Sequence, residues 1–207
     1  MYIGWMNNWR YGRQIPASEW RGMMTTPREF SLRRTAQGDR LVQRPISELD
    51  SLRGKGQQWS NLRIVSESKP LDGLRGQVLE ILAAFELGTA TEFGIKVLAS
   101  EDCETVVAYN AQNQRLSLNR ERSGQVEFHA AFAGCYAAAL TPVENRITIR
   151  ILLDYHSVEV FGNEGDVSLS ALVFPLPGSD GMDVFAVDGD VTLVSLAVYP
   201  LDEPERA

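Results

Sequence analysis

From Val78 to Tyr199 the chain repeats one pattern: a short run with Val, Ile, Leu, Phe or Tyr at alternate positions, then a cluster of Asn, Asp, Gly, Ser or Pro. A period of two is the mark of a strand with one buried face, and turn residues at these intervals belong to antiparallel all-β domains. The predicted strands are Gln77–Leu87, Phe93–Ala99, Thr105–Asn110, Arg115–Asn119, Val126–Ala131, Arg146–Leu153, Ser157–Phe161, Ser168–Pro175, Met182–Val187 and Thr192–Tyr199. Asn110 to Asn113, Asp154 to His156, Asn163 to Gly165, Pro177 to Gly181 and Asp188 to Asp190 supply the turn chemistry between them. The clearest strand places Ile147, Ile149, Ile151 and Leu153 on one face with Thr148 and Arg150 on the other. Val158 and Val160 repeat the alternation, which puts Glu159 outward, and Asn163 to Gly165 turns the chain into the next strand. The fold class expected is an antiparallel β-sandwich.

Upstream the pattern changes. Ser47 stands as an N-cap candidate ahead of Leu49 and Leu52 at helical spacing, and Gly54 ends the run, so a short helix and linker are expected over 47–61. Residues 1–46 contain three predicted strands, Tyr2–Met6, Met23–Arg33 and Arg40–Gln43, around a loop rich in Trp, Asn, Arg and Pro. Three strands make a poor domain. The division expected is therefore 1–46, 47–61 and a sandwich over 62–203.

The 207 residues are 44% hydrophobic and 23% charged, ordinary globular proportions. A formal net charge of −7 with scattered Lys and Arg argues against nucleic-acid binding, which needs clustered cations. The densest basic stretch, Arg28 to Arg44, is interrupted by Glu29 and Asp39 and reads as a solvated face. No run approaches the roughly 18 apolar residues of a membrane span, and the N-terminus lacks a signal-peptide layout, so a soluble chain is expected and its compartment stays open. Cys103 and Cys135 read as two free, buried thiols rather than a bridge. His129 and His156 sit in no cluster with ligand spacing, so no structural zinc and no cofactor are expected. The acidic loop residues Asp180, Asp183, Asp188 and Asp190 lack the spacing of a calcium loop, and turn chemistry explains them better.

Tyr2-Ile-Gly-Trp-Met-Asn-Asn-Trp9, then Tyr11, Pro16, Trp20-Arg-Gly22, Met24 and Pro27-Arg-Glu29, resembles the last propeller blade of glycoside hydrolase family 32, the family of levanases, inulinases and invertases. Gln43-Arg-Pro45, Phe93-Gly-Ile-Lys96, Leu116-Ser-Leu-Asn-Arg120 with Ser123-Gly124, and Asp154 to Phe161 with Asn163 and Gly165 resemble that family's C-terminal sandwich. The chain departs from the pattern at Asn119, where Asp is usual, and in the Ala-rich run Phe132 to Leu140. The resemblance implies an all-β chain in which a few strands left over from a five-bladed propeller precede the sandwich, and it implies that Met1 is not the natural start. It also implies a parent enzyme acting on fructan or sucrose, and it is compatible with a secreted one.

The family's carboxylate motifs do not occur here. Trp5-Met-Asn-Asn8 is similar to the nucleophile motif but carries Asn8 where a carboxylate is needed and Trp9 where Pro would follow. A retaining glycosidase needs two carboxyl groups about 5 to 5.5 Å apart, one of which forms a glycosyl ester. An amide forms none, so no catalytic residue is assigned and the chain alone is expected to be inactive. Asp154 and Glu159 read as a turn cap and an exposed carboxylate; Arg21, Arg28 and Glu29 read as residues paired with each other or with neighbouring blades. The resemblance places the Trp5 to Trp9 loop near the funnel, which makes Trp9, Asn8 and Trp5 the candidate substrate-binding residues. Two functions are thereby expected as alternatives: the C-terminal part of a β-fructosidase, or a free-standing carbohydrate-binding or oligomerisation module. Left alone, residues 1–46 would expose apolar surface and strand edges, so they are expected to pack on the sandwich or on another chain.

Overall fold

The computed structural model describes residues 1–17, 19–35, 38–66, 68, 70–71 and 73–201. Among these residues thirteen strands form three sheets, all paired antiparallel. An N-terminal arm leads into a hairpin, β1 (Arg28–Thr35) and β2 (Gly38–Pro45). The remainder is a sandwich. One sheet has six strands in the order β11-β10-β9-β4-β13-β3, and the other has five in the order β12-β5-β6-β7-β8. The strands are β3 (Gln57–Val65), β4 (Leu79–Glu86), β5 (Glu92–Ala99), β6 (Thr105–Asn110), β7 (Arg115–Asn119), β8 (Cys135–Ala139), β9 (Arg146–Asp154), β10 (Ser157–Gly162), β11 (Val167–Leu172), β12 (Gly181–Val187) and β13 (Asp190–Pro200).

Alternation explains why these segments pair as they do. Ile147, Ile149, Ile151 and Leu153 of β9 are all buried, facing Ile81 and Phe85 of the neighbouring β4 and Phe93, Ile95 and Val107 of the opposite sheet in one core. Gly94 shows how tightly the five-stranded sheet is built: a Cβ there would lie 2.0 Å from the carbonyl oxygen of Val107.

Several expectations need correcting. The expected strand Val126–Ala131 is absent; Gln125 N–H donates to the carbonyl of Phe174 at 2.8 Å, and the segment continues in turns. Its apolar alternation is real, but Val126 and Phe128 pack on the arm instead of joining a ladder. Two strands had no periodic signal. β3 begins inside the presumed linker, and β8 is an Ala-rich edge strand that is mostly exposed. Ser47 does not cap a helix: Ser47–Leu52 is a 3-10 segment, with Ile46 at its N-cap and no side-chain cap bond. Tyr2–Met6 is reduced to isolated bridges, Tyr2 to Arg28 and Trp5 to Met24. Both cysteines are free, with Cys103 buried but Cys135 exposed.

Glu159 is the largest correction. It does point away from the sandwich core, as the alternation of β10 requires, yet it is 2% exposed because the arm and hairpin cover that face. Its ion-pair partner is Arg28, whose charge is thus met by the sandwich and not by Glu29.

Candidate substrate-contacting surface

The arm is held to the sandwich at two places. At the first, Met6, Tyr11 and Ile15 are buried against Phe132, Leu172 and Phe174, with Trp20 and Phe128 packed beside them. Trp20 stacks on Phe174 with ring centroids 6.2 Å apart, and His156 lies 5.5 Å from Trp20. Beneath this cluster Arg120 is 1% exposed. Its guanidinium donates to the carbonyls of Phe132 and Leu172, both at 2.9 Å, and to the hydroxyls of Tyr11 at 3.0 Å and Tyr136 at 2.5 Å. The group also lies 3.9 Å from the Phe132 ring centroid. A buried cation without a carboxylate is tolerated only where its N–H groups are met by oriented dipoles and ring faces, and Arg120 has both. Burial also pushes the Tyr136 hydroxyl above its ordinary pKa, against the opposing pull of the Arg120 charge.

At the second place, Glu159 accepts the backbone N–H of Thr26 at 2.7 Å and forms an ion pair with Arg28. Arg28 donates further to Gln43 at 3.2 Å, Ser168 at 2.5 Å and Ser170 at 2.6 Å, and stacks over Phe161 at 4.9 Å. The two side chains are 6% and 3% exposed, so loss of either partner would leave a buried charge at a cost of about 3–5 kcal/mol.

Between these anchors the arm carries the three candidate residues. Residues 2–6 run beside residues 23–28, with Tyr2 and Arg28 exchanging backbone bonds of 2.8 and 2.9 Å and Met6 N–H donating to Met23 at 2.8 Å. The Asn side chains then close a turn: Asn7 Oδ1 accepts from Asn8 N–H at 2.8 Å, and Asn8 Oδ1 accepts from Arg10 N–H at 2.9 Å. Tyr11 and Gly12 N–H both donate to the Asn8 carbonyl. Trp5 and Trp9 emerge side by side, ring centroids 4.9 Å apart, and Trp9 is 92% exposed. Trp5 lies on the backbone of Gly22, where a Cβ would come within 2.7 Å of its Nε1. Trp5 and Trp9 are thus brought together as an open aromatic surface, whereas the Asn8 side-chain oxygen is engaged in shaping the turn. Such a surface can cover the apolar face of a sugar ring. It holds no nucleophile.

Several carboxylates serve turns and ion pairs. Asp154 Oδ1 caps its turn by accepting from Tyr155 N–H at 2.7 Å. Glu80, wholly buried in β4, is gripped by Arg53 and Arg150, and Asp50 bonds the same two guanidinium groups at 2.8 and 3.2 Å. The hydrogen bond to Glu80 raises the Arg53 pKa above its ordinary value. Asp50, Arg53 and Arg150 border a groove of about 740 Å³ beside the hairpin, lined also by Glu29, Trp59, Leu82 and Thr148. Asp180 pairs with Arg75 at 2.6 Å and Asp190 with Arg63 at 2.9 Å, so these loop carboxylates serve turns and ion pairs. Among the described residues no group of three or more His, Cys, Asp and Glu side chains is arranged to hold a metal ion. No helix among them is long and apolar enough to cross a membrane.

Arg120, Glu159, Glu80, Arg53 and Arg150 had no place in the site expected from sequence. The available signal was a charged residue inside an otherwise apolar alternating run, as in Val78-Leu-Glu-Ile81 and Ile149-Arg-Ile151.

The model of the glycosyl hydrolases family 32 C terminal matches residues 48–200, and that of the family 32 N-terminal domain matches residues 1–45. A levanase of Bacillus subtilis (strain 168) is 39% identical over 205 residues, covering 97% of this chain and 30% of that protein. An extracellular exo-inulinase of Aspergillus awamori is 34% identical over 180 residues, covering 84% of this chain and 34% of that protein. The crystal structure of exo-inulinase from Aspergillus awamori superposes with a TM-score of 0.87 at 31% identity, over 97% of this chain and 40% of that one. A β-fructofuranosidase from Schwanniomyces occidentalis, in complex with fructosyl-erythritol, shares the fold with a TM-score of 0.82 at 18% identity, over 97% of this chain and 44% of that one. The chain spans about a third of the length of the two curated relatives it matches here.

Proposed function

Because the chain belongs to glycoside hydrolase family 32, we propose that it supplies the last propeller strands and the C-terminal sandwich of a β-fructosidase, and that by itself it binds fructosyl units without cleaving them. In this reading residues 1–46 are the blade remnant, 47–56 the connection, and the body of the sandwich begins with β3 at Gln57 instead of at residue 62. Trp9 and Trp5 form an apolar wall for the sugar, and Asn8 shapes the loop and offers its remaining amide group. The observation that carries the reading is the exposed Trp5 and Trp9 pair, held to the sandwich by two buried anchors. Covering about 50 to 100 Å² of sugar at roughly 25 cal/mol per Å² contributes on the order of 1 to 3 kcal/mol, enough for recognition but not for bond cleavage. Retaining hydrolysis requires the two carboxyl groups that the rest of such an enzyme would contribute. The name of the exo-inulinase relative, which includes "extracellular", supports an extracellular setting for the parent enzyme.

The decisive experiment replaces the matched region of the Bacillus subtilis levanase with this chain. Fructose release from levan by the hybrid, with none from the purified 207-residue chain, is the expected result. Fructose release by the chain alone, abolished by a substitution within it, would overturn the reading.

One further observation favours self-association. Tyr2 stacks on Phe30 with centroids 5.0 Å apart, and Leu32 and Leu41 extend this exposed apolar stripe along the hairpin. Sedimentation of the isolated chain tests it: a monomer at all concentrations would exclude association.

A further inference from the structure

We infer that Glu159 is a positioning residue for the Trp5 and Trp9 surface, an inference that rests on the sugar-contacting role proposed for that surface. Glu159 belongs to β10 of the sandwich and touches no part of the aromatic pair. It acts through the backbone of residues 24–28. Its Oε1 accepts Thr26 N–H at 2.7 Å, and its Oε2 is paired with Arg28. The next links are backbone bonds: Arg28 to Tyr2 in both directions, Thr25 N–H to Gly4 at 2.8 Å, and Met6 N–H to Met23 at 2.8 Å. Gly4 N–H adds a bond to Thr25 Oγ1 at 2.9 Å, and Asn7 Nδ2 donates to the Arg21 carbonyl at 3.1 Å. Trp5 is therefore carried by a strand whose partner strand is fastened to the sandwich at Thr26 and Arg28.

Three features make this more than ordinary packing. A carboxylate that serves only to fill space would not be buried on the solvent-directed side of an alternating strand, where a hydrophobic residue costs less. The pair is surrounded by groups that fix its orientation, with Ser168 and Ser170 of β11 and Gln43 of β2 all accepting from Arg28. The Trp5 ring has little freedom to compensate, since its Nε1 already lies against the backbone of Gly22. A displacement of residues 24–28 thus passes to Trp5 and, through the ring contact, to Trp9.

The test uses the 207-residue chain with its four tryptophans as reporters, of which Trp5, Trp9 and Trp20 lie in the arm and Trp59 lies on β3. Glu159→Gln keeps an oxygen for Thr26 and removes the charge that holds Arg28. In two-dimensional NMR spectra the indole N–H signals of Trp5 and Trp9 are expected to move, with Trp59 unchanged. The concentration of 1-kestose needed to shift the Trp9 signal halfway should rise several-fold. Ser170→Ala, a milder loss on the Arg28 side, should move the same two signals less, and it serves if Glu159→Gln does not fold. Unmoved Trp5 and Trp9 signals in a folded variant would overturn the inference. If 1-kestose leaves Trp9 of the unsubstituted chain unshifted, the sugar-contacting role fails, and the positioning inference falls with it only if the variants also leave both signals in place. If 1-kestose shifts Trp9 equally in the parent and in both variants, the contact stands and the positioning role alone is refuted.

Discussion

Arg120→Met separates the anchor from ordinary core packing. The substitution keeps much of the side-chain volume but removes every donor. It strands the carbonyls of Phe132 and Leu172 and the hydroxyls of Tyr11 and Tyr136. Hydrogen bonds from a charged donor are worth about 1.5–3 kcal/mol each, so four of them represent roughly 6–12 kcal/mol. Desolvating the guanidinium costs several kcal/mol, and removing it recovers that sum. The net destabilisation expected is about 3–5 kcal/mol, read from the urea midpoint of the 207-residue chain by tryptophan fluorescence. Arg120→Lys should lose less, about 2 kcal/mol, because an ammonium keeps the charge but cannot fork toward both carbonyls. Local release has its own readout: Arg10 and Arg13 are exposed on the arm, and trypsin should cut there sooner in Arg120→Met than in the parent. Stability within about 1 kcal/mol of the parent, together with unchanged cleavage, would refute the anchoring argument, because a buried donor with four partners cannot be lost at so small a cost.

Trp9→Ala should abolish 1-kestose binding as read by calorimetric titration, which does not need the lost indole as reporter, while leaving the urea midpoint within about 0.5 kcal/mol, as expected for a side chain 92% exposed; binding heat equal to the parent's, or a large loss of stability, would show that Trp9 does not serve the sugar. Tyr109 is buried, donates to the Leu140 carbonyl at 3.0 Å, and has its pKa pushed by burial from 10.0 to about 12. A phenol whose folded pKa is raised stabilises the fold fully below its unfolded value, so stability should fall between pH 10 and about pH 12 by on the order of 2 kcal/mol. Tyr109→Phe should flatten that alkaline slope in pH-dependent urea titrations and cost about 1 kcal/mol at neutral pH. Gly165 has φ +96°, and a Cβ there would lie 2.2 Å from the Gln43 carbonyl oxygen, so Gly165→Ala should cost about 1–3 kcal/mol and speed amide exchange in β2. Protected β2 amides in that variant would contradict the close contact.

The core of the sandwich was legible because burial on one face leaves a period-two trace, clearest in Ile147 to Leu153. That residues 1–46 would pack on the sandwich or on another chain was also legible, but the polar contacts that dock the arm were not, for a physical reason. Glu159 and Arg28 obey the same alternation as solvent-exposed charges, and only the presence of a covering layer distinguishes them. Val126 to Ala131 misled in the opposite direction: alternating apolar residues pack against the aromatic cluster of the arm without a ladder partner. β8 left little trace because alanine has weak strand preference and its edge position demands little burial. Of the candidate surface, Trp5 and Trp9 could be named from their motif, but not their ring contact or the turn role of Asn8.

The two family matches meet between residues 45 and 48, yet two buried polar contacts, Arg28 with Glu159 and Arg120 with Tyr11, cross that boundary. A piece beginning there would keep Glu159 without Arg28 and Arg120 without the Tyr11 hydroxyl, which would uncover two charges on a surface built to be dry. The inherited module and the unit of cooperative unfolding are therefore expected to differ: the sandwich should melt together with the arm it carries, and trimming at the module boundary should yield a protein less stable than the intact chain.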